Sequence, residues 1–176
     1  MNAENETIAR RRRMRLEGYD YRQAGAYFVT VCTQGRACVF GSVADGAMIL
    51  NDAGALVQEE WCSLPARFPH VCLDTYVVMP NHIHGIIVVD MGGRAPASGV
   101  PPLGEIVGAF KSVTTLKYVR GVKCAGWRPF DGRLWQRGYY EHIIRAEESL
   151  GKIREYISNN PQQWLLDSEN PQRVRL

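Results

Sequence analysis

Apolar character first gathers at residues 26–33, AYFVTVCT, where aromatic and β-branched residues follow one another and predict a strand. Gln34-Gly35-Arg36 turns the chain, and residues 38–43 have the composition of a short partner strand. Asn51 or Asp52 caps a helix expected to run to about Phe68, because Leu56, Val57, Trp61 and Leu64 recur near helical spacing. Two β-rich runs follow, LDTYVVM at 73–79 and HIHGIIVVD at 82–90, with only Pro80-Asn81 between them, which is a hairpin signal. Pro80 lacks a backbone N–H and is confined to an edge or a turn. Residues 91–102, MGGRAPASGVPP, read as a flexible loop. A helix from Leu103 to about Val119 carries Ile106, Val107, Phe110, Val113 and Leu116 on one side. The basic, glycine-punctuated residues 117–133 predict an exposed loop, and 134–145, LWQRGYYEHIIR, another strand. Residues 146–160 predict a last helix, which ends because Asn160 precedes Pro161 and is pushed out of helical geometry.

Strands joined by hairpins, rather than by strict strand–helix–strand alternation, predict an α+β sandwich: a mainly antiparallel sheet with helices packed on it. Residues 1–22 read as a basic arm, 23–165 as the folded domain and 166–176 as a C-terminal tail. A chain of 176 residues with 45% hydrophobic and 22% charged residues suits one well-cored domain and excludes whole-chain disorder. No apolar stretch approaches the ~20 residues of a membrane span. No apolar segment follows the N-terminal basic run either, so a secretory signal is excluded and a cytoplasmic location is expected. The five cysteines are odd in number and contain no CxxC pair, which argues against a disulfide framework or a structural zinc site.

Charge changes the picture once it is located. Residues 1–15 carry Arg10, Arg11, Arg12, Arg13 and Arg15 against Glu4 and Glu6. Residues 38–105 hold two basic and seven acidic residues, whereas 106–145 hold eight basic and two acidic. A basic arm and a basic C-terminal half are the footprint of a polyanion-binding protein, although modestly basic domains also exist without such a partner.

Two of the four histidines, His82 and His84, are one residue apart in a strand. Period two puts both imidazoles on one face and Ile83 on the other, a metal-ligand arrangement, or equally an accident of a solvated face. In the last helix Leu150, Ile153 and Ile157 form the buried stripe, and Lys152, Tyr156 and Asn160 form a polar stripe at its border. A tyrosine hydroxyl, with a pKa of ~10, becomes a nucleophile only with help from a metal or a nearby ammonium. Asn160 offers an oxygen to complete a shell begun by two histidines. The alternative for Tyr156 is a half-buried tyrosine whose hydroxyl reaches water.

Met79-Pro80-Asn81-His82-Ile83-His84-Gly85 resembles the His-hydrophobic-His strand of the HUH single-strand endonucleases. Ile153-Arg154-Glu155-Tyr156-Ile157-Ser158-Asn159-Asn160-Pro161 resembles their catalytic-tyrosine helix. Gly104–Ser112 and Leu134–Arg145 are similar to the single-tyrosine, insertion-sequence-type branch, and within it to the REP-associated tyrosine transposases of bacteria. Gly18-Tyr19-Asp20-Tyr21 followed by Ala26–Thr30 also fits, so the resemblance spans about residues 10–165.

The resemblance implies a ferredoxin-like fold and a metal-dependent nickase and strand transferase acting on single-stranded DNA beside a short palindromic hairpin. It implies that His82 and His84 bind Mg²⁺ or Mn²⁺, and that Tyr156 attacks the scissile phosphate to leave a 5′-phosphotyrosine. Insertion-sequence relatives have Gln as third ligand where this chain has Asn160, which is one carbon shorter. Imidazoles favour Mn²⁺ over Mg²⁺. Arg11, Arg12 and Arg13 of the arm, with Lys111, Arg137 and Lys152, are the expected DNA contacts, the arm also being readable as a solvated tail. Tyr139 and Tyr140 are rival nucleophiles without an amide four residues on. A domesticated hairpin binder that does not cut, and a zinc hydrolase built on the two histidines, are the competing functions; no third ligand at a usual zinc spacing supports the latter. The expected assembly is a monomer or a homodimer.

Overall fold

The computed structural model describes residues 24–90 and 101–173. The expected arm with Arg11, Arg12 and Arg13 and nearly all of the expected 91–102 loop lie outside the described residues. Strands β1 (Gly25–Cys32), β4 (Val71–Met79), β5 (His82–Val89) and β6 (Tyr140–Ile144) form one sheet in the order β4-β5-β1-β6. Every neighbouring pair is antiparallel. Helices α1 (Asp52–Cys62), α2 (Leu64–Arg67), α3 (Leu103–Ala125) and α4 (Glu147–Asn159) complete the α+β architecture expected from the sequence.

The sheet is covered on both faces. Tyr27, Val29 and Val31 of β1 and Ile83, Ile87 and Val89 of β5 meet Val57 and Trp61 of α1 and Ile106, Val107 and Phe110 of α3. The alternate residues, Phe28 of β1, Ile86 of β5 and Ile144 of β6, meet Ile153 and Ile157 of α4. Burying each of these two α4 isoleucines contributes about 1.5–3 kcal/mol, enough to dock a helix whose other faces are polar. The buried Glu60 of α1 pairs with Lys117 of α3 and Arg67 of α2, which pins the first layer.

Gly85 lies in β5 directly after His84. A Cβ there would sit 2.4 Å from Cζ2 of Trp61, so glycine is required for the indole to press flat on the strand.

Several expectations are corrected. Residues 41–44 do not extend the main sheet: β2 (Gly41–Ala44) pairs with β3 (Ala47–Leu50) in a separate hairpin. Asp45-Gly46, with φ of 50° and 74°, supplies the left-handed pair that such a two-residue turn needs. Asn51, rather than Asp52, caps α1, accepting from the Gly54 N–H at 2.9 Å. The helix expected to reach Phe68 breaks at Ser63, ahead of Pro65, which sits in the first turn of α2. Residues 117–125, expected as loop, continue α3 to a left-handed Gly126. Tyr118 is buried there, its ring packed against Trp127 and Phe130 and its hydroxyl donating to the Arg128 carbonyl at 2.8 Å. Only 140–144 of the expected strand 134–145 is strand; Leu134 and Trp135 enter the core instead. Trp135 Nε1 donates to Thr114 Oγ1 at 2.8 Å.

Candidate active site and metal centre

His82 and His84 share the α4 side of β5 while Ile83 faces the opposite layer, as period two requires. The face is not open: His82 is 0% and His84 3% exposed, with ring centroids 4.4 Å apart. Each ring is held by its Nδ1. That of His82 lies 2.8 Å from Asn81 Oδ1, and that of His84 lies 2.7 Å from Thr30 Oγ1. An amide oxygen only accepts, so Nδ1 of His82 carries the proton and Nε2 keeps a lone pair. That Nε2 is buried without a hydrogen-bond partner among the described residues.

Burial pushes the His82 pKa down to about 3; the Asn160 amide opposes this, and the nearby Arg36 charge reinforces it. Burial, and then the proximity of His82, holds His84 well below the ordinary range. Both rings are therefore neutral at pH 7, the form that binds metals.

Helix α4 delivers the other groups. Tyr156 is half-buried, and its hydroxyl lies 3.4 Å from His84 Nε2. Its ring packs edge-on to Phe28 at 6.0 Å. Burial, then the carboxylates of Asp167 and Glu169, raise its pKa above the usual phenol range, so it stays protonated until positive charge arrives. Asn160, one turn further on at the helix C-terminus, is 2% exposed and, contrary to the expectation from Pro161, keeps helical backbone with φ −58° and ψ −40°. Its Nδ2 donates to Asp167 Oδ2 at 3.0 Å, which fixes the amide orientation, since a flip would set two oxygens against each other. Asn160 Oδ1 is thereby left buried, facing His82, with no hydrogen-bond partner of good geometry among the described residues.

Asp167 was not anticipated. It belongs to the segment expected to be a tail, yet it is 8% exposed, and its Oδ2 lies 3.9 Å from His82 Nε2. Ligand atoms of His82, His84 and Asp167 all lie within 4.8 Å of one another. Asn81 was missed as well. Beyond orienting His82, its Nδ2 donates to the carbonyls of Arg36 at 3.0 Å and Glu169 at 2.8 Å, tying both segments to the β4–β5 turn. Neither residue has a spacing signature; only the HxH motif next to Asn81 hinted at it.

The site thus presents an uncompensated imidazole nitrogen, an uncompensated amide oxygen, a second imidazole and a carboxylate. This N/O set is compatible with a divalent cation.

The remaining expected residues lie elsewhere. Lys111 Nζ donates to three carbonyls, Gln136 at 2.6 Å, Arg137 at 3.2 Å and Gly138 at 3.0 Å, and burial lowers its pKa. It holds the loop that carries the exposed Arg137. Lys152 is exposed on α4 and pairs with Glu148 at 3.1 Å. Tyr139 packs against the α1/α3 layer, whereas Tyr140 packs in the same cluster as Tyr156.

Residues 59–160 match the family described as Transposase IS200 like. An uncharacterized protein of Haemophilus influenzae is 40% identical over 177 residues, covering 93% of this chain and 94% of its own. A solved structure of a REP-associated tyrosine transposase bound to a REP hairpin shares the fold with a TM-score of 0.54 at 17% identity. That similarity covers 88% of this chain and 73% of the other.

Proposed function

Since the chain belongs to the IS200-like transposase family, we propose that it nicks and rejoins single-stranded DNA beside a hairpin, with Tyr156 as nucleophile. His82, His84 and Asn160 would hold a divalent ion, Mg²⁺ or Mn²⁺, and Asp167 is a further donor. The observation that carries this reading is the approach of the Tyr156 hydroxyl to 3.4 Å from a neutral, buried imidazole whose neighbours keep unpaired donor atoms.

When bound, the ion supplies the positive charge that polarises a scissile phosphate and favours a phenolate. Tyr156 gives up its hydroxyl proton to solvent and its oxygen attacks phosphorus. The bond from phosphorus to the 3′ oxygen breaks, and that oxygen takes up a proton and leaves as a hydroxyl. The products are a 5′-phosphotyrosine and a free 3′-OH, and attack by a 3′-OH reverses the step and rejoins strands. The phosphodiester bond is exchanged rather than hydrolysed, so no nucleotide cofactor is needed. The raised pKa of Tyr156 keeps the nucleophile inert until the site is loaded.

Arg137 and Lys152 expose cationic heads to DNA phosphates, Lys111 braces the loop of Arg137, and Arg11, Arg12 and Arg13, outside the described residues, are proposed as further phosphate contacts from their charge alone. A hairpin partner is supported by the REP hairpin in the fold relative.

The test is incubation with a hairpin carrying single-stranded flanks. A covalent protein–DNA band should form with Mn²⁺, vanish with EDTA, and resolve when an oligonucleotide bearing a free 3′-OH is added. Tight hairpin binding with no covalent band under any of these conditions would make the protein a non-cutting binder.

A further inference from the structure

After β1 the chain reverses through Gln34–Arg36, where Gly35 and Arg36 both adopt left-handed backbone, with φ of 63° and 56°. The second of these positions suits Gly, Asn or Asp; an arginine there carries a steric cost that glycine would avoid. The other described non-glycine residue with positive φ, Asp45, is accounted for by its Asp-Gly hairpin turn. Arg36 is the second central residue of a turn closed by the Ala37 N–H donating to the Gln34 carbonyl at 3.4 Å, a position glycine would fill without the steric cost, and strain of this kind persists only where the surroundings enforce it.

Those surroundings lead to the active site. The Arg36 carbonyl accepts from Nδ2 of Asn81, the residue that orients His82, and its N–H donates to the Thr33 carbonyl at 3.2 Å. Its guanidinium Nε donates to Glu169 Oε2 at 3.0 Å, while the side chain stays 46% exposed. Glu169 in turn donates its N–H to Asp167 Oδ1 at 2.7 Å. A cation is therefore rooted beside His82 and faces solvent at the rim of the buried donors.

Its pairing with Glu169 does not explain the strain. A half-exposed ion pair is worth little. The C-terminal segment is already held by Asn81 at the Glu169 carbonyl and by Asn160 at Asp167.

We propose that Arg36 is a substrate-binding residue whose guanidinium takes the non-bridging oxygens of a backbone phosphate on the DNA strand entering the site, exchanging Glu169 for that phosphate. The planar fork of arginine fits a phosphate as well as it fits a carboxylate. The inference rests on the DNA-cleaving reading above.

Two variants separate this role from a structural strap. Arg36→Gly removes the cation and relieves the backbone, so its melting midpoint should equal or exceed that of the parent. Its affinity for a fluorescent single-stranded oligonucleotide should fall roughly tenfold or more, and its adduct rate at low DNA concentration with it. Glu169→Gln frees the guanidinium and removes a negative charge near Tyr156, so it should bind and react at least as well as the parent. Parallel losses in the two variants would make the pair a strap and overturn the proposal, as would parental affinity in Arg36→Gly. If the parent binds DNA but forms no adduct, the cleavage reading fails while the affinities still decide on Arg36. If the parent binds no single strand, both fall.

Discussion

The two buried imidazoles should make the metal-free protein unusually sensitive to mild acid. Burial leaves His82 with a pKa pushed down to about 3 and His84 well below its ordinary value. In the unfolded chain both return to water and titrate near ~6.5. Between about pH 7 and pH 5 the unfolded chain takes up protons that the folded one refuses. Stability therefore rises with pH and is lost as pH falls below ~6.5. Over that interval each imidazole costs about 2 kcal/mol and the pair about 4 kcal/mol, set almost entirely by the unfolded-state titration. That is a large share of the ~5–15 kcal/mol of an ordinary domain. Urea unfolding in EDTA, followed by tryptophan fluorescence at both pH values, measures the loss. The double variant His82→Gln/His84→Gln should lose about 4 kcal/mol less than the parent between the same pH values. His70 and His142 are common to both proteins and cancel. Equal losses in the two proteins would refute the claim that these histidines are buried and neutral.

Other consequences follow from the same geometry. Arg154 donates from Nε and Nη2 to the two Asp74 oxygens at 3.0 and 2.6 Å, two residues before Tyr156, and holds that carboxyl well below the usual range. Asp74→Asn should slow adduct formation while leaving calorimetric Mn²⁺ affinity unchanged; an equal fall in both would show that the clamp does not act on the tyrosine helix specifically. Asn160→Ala should lower Mn²⁺ affinity roughly 10–100-fold by calorimetry, and unchanged affinity would remove its oxygen from the ligand set. Gly85→Ala forces a carbon against Trp61 and should cost about 1–3 kcal/mol in urea unfolding, with no cost if the indole simply rotates away.

The sheet and the histidine pair were legible because strand period two is a local rule: Ile83 packing against one layer fixes where His82 and His84 point. Helix α4 was legible for the same reason, through Ile153 and Ile157. The end of α3 was not. Lys117, Arg120, Gly121 and Lys123 look like loop residues, and contacts no local pattern announces hold them helical: Lys117 pairs with Glu60 of α1, and Trp127 and Phe130 fold back on Tyr118. Asp167 was hidden because its role depends on the chain after α4 being held against the site by Asn81 and Asn160, through contacts no spacing announces. The Asp45-Gly46 turn did carry a local signal, and residues 41–50 are readable as a hairpin from it.

Whether Tyr156 carries the covalent bond is settled by one trapping experiment. Trap the protein with Mn²⁺ and a flanked hairpin, digest it, and locate the nucleotide-bearing peptide by mass spectrometry, alongside Tyr156→Phe and Tyr140→Phe. The expected result is a 5′-linked nucleotide on Tyr156, no adduct in Tyr156→Phe despite retained DNA binding, and an adduct in Tyr140→Phe. A nucleotide on Tyr140 or Tyr139, or an adduct of normal yield from Tyr156→Phe, would contradict it.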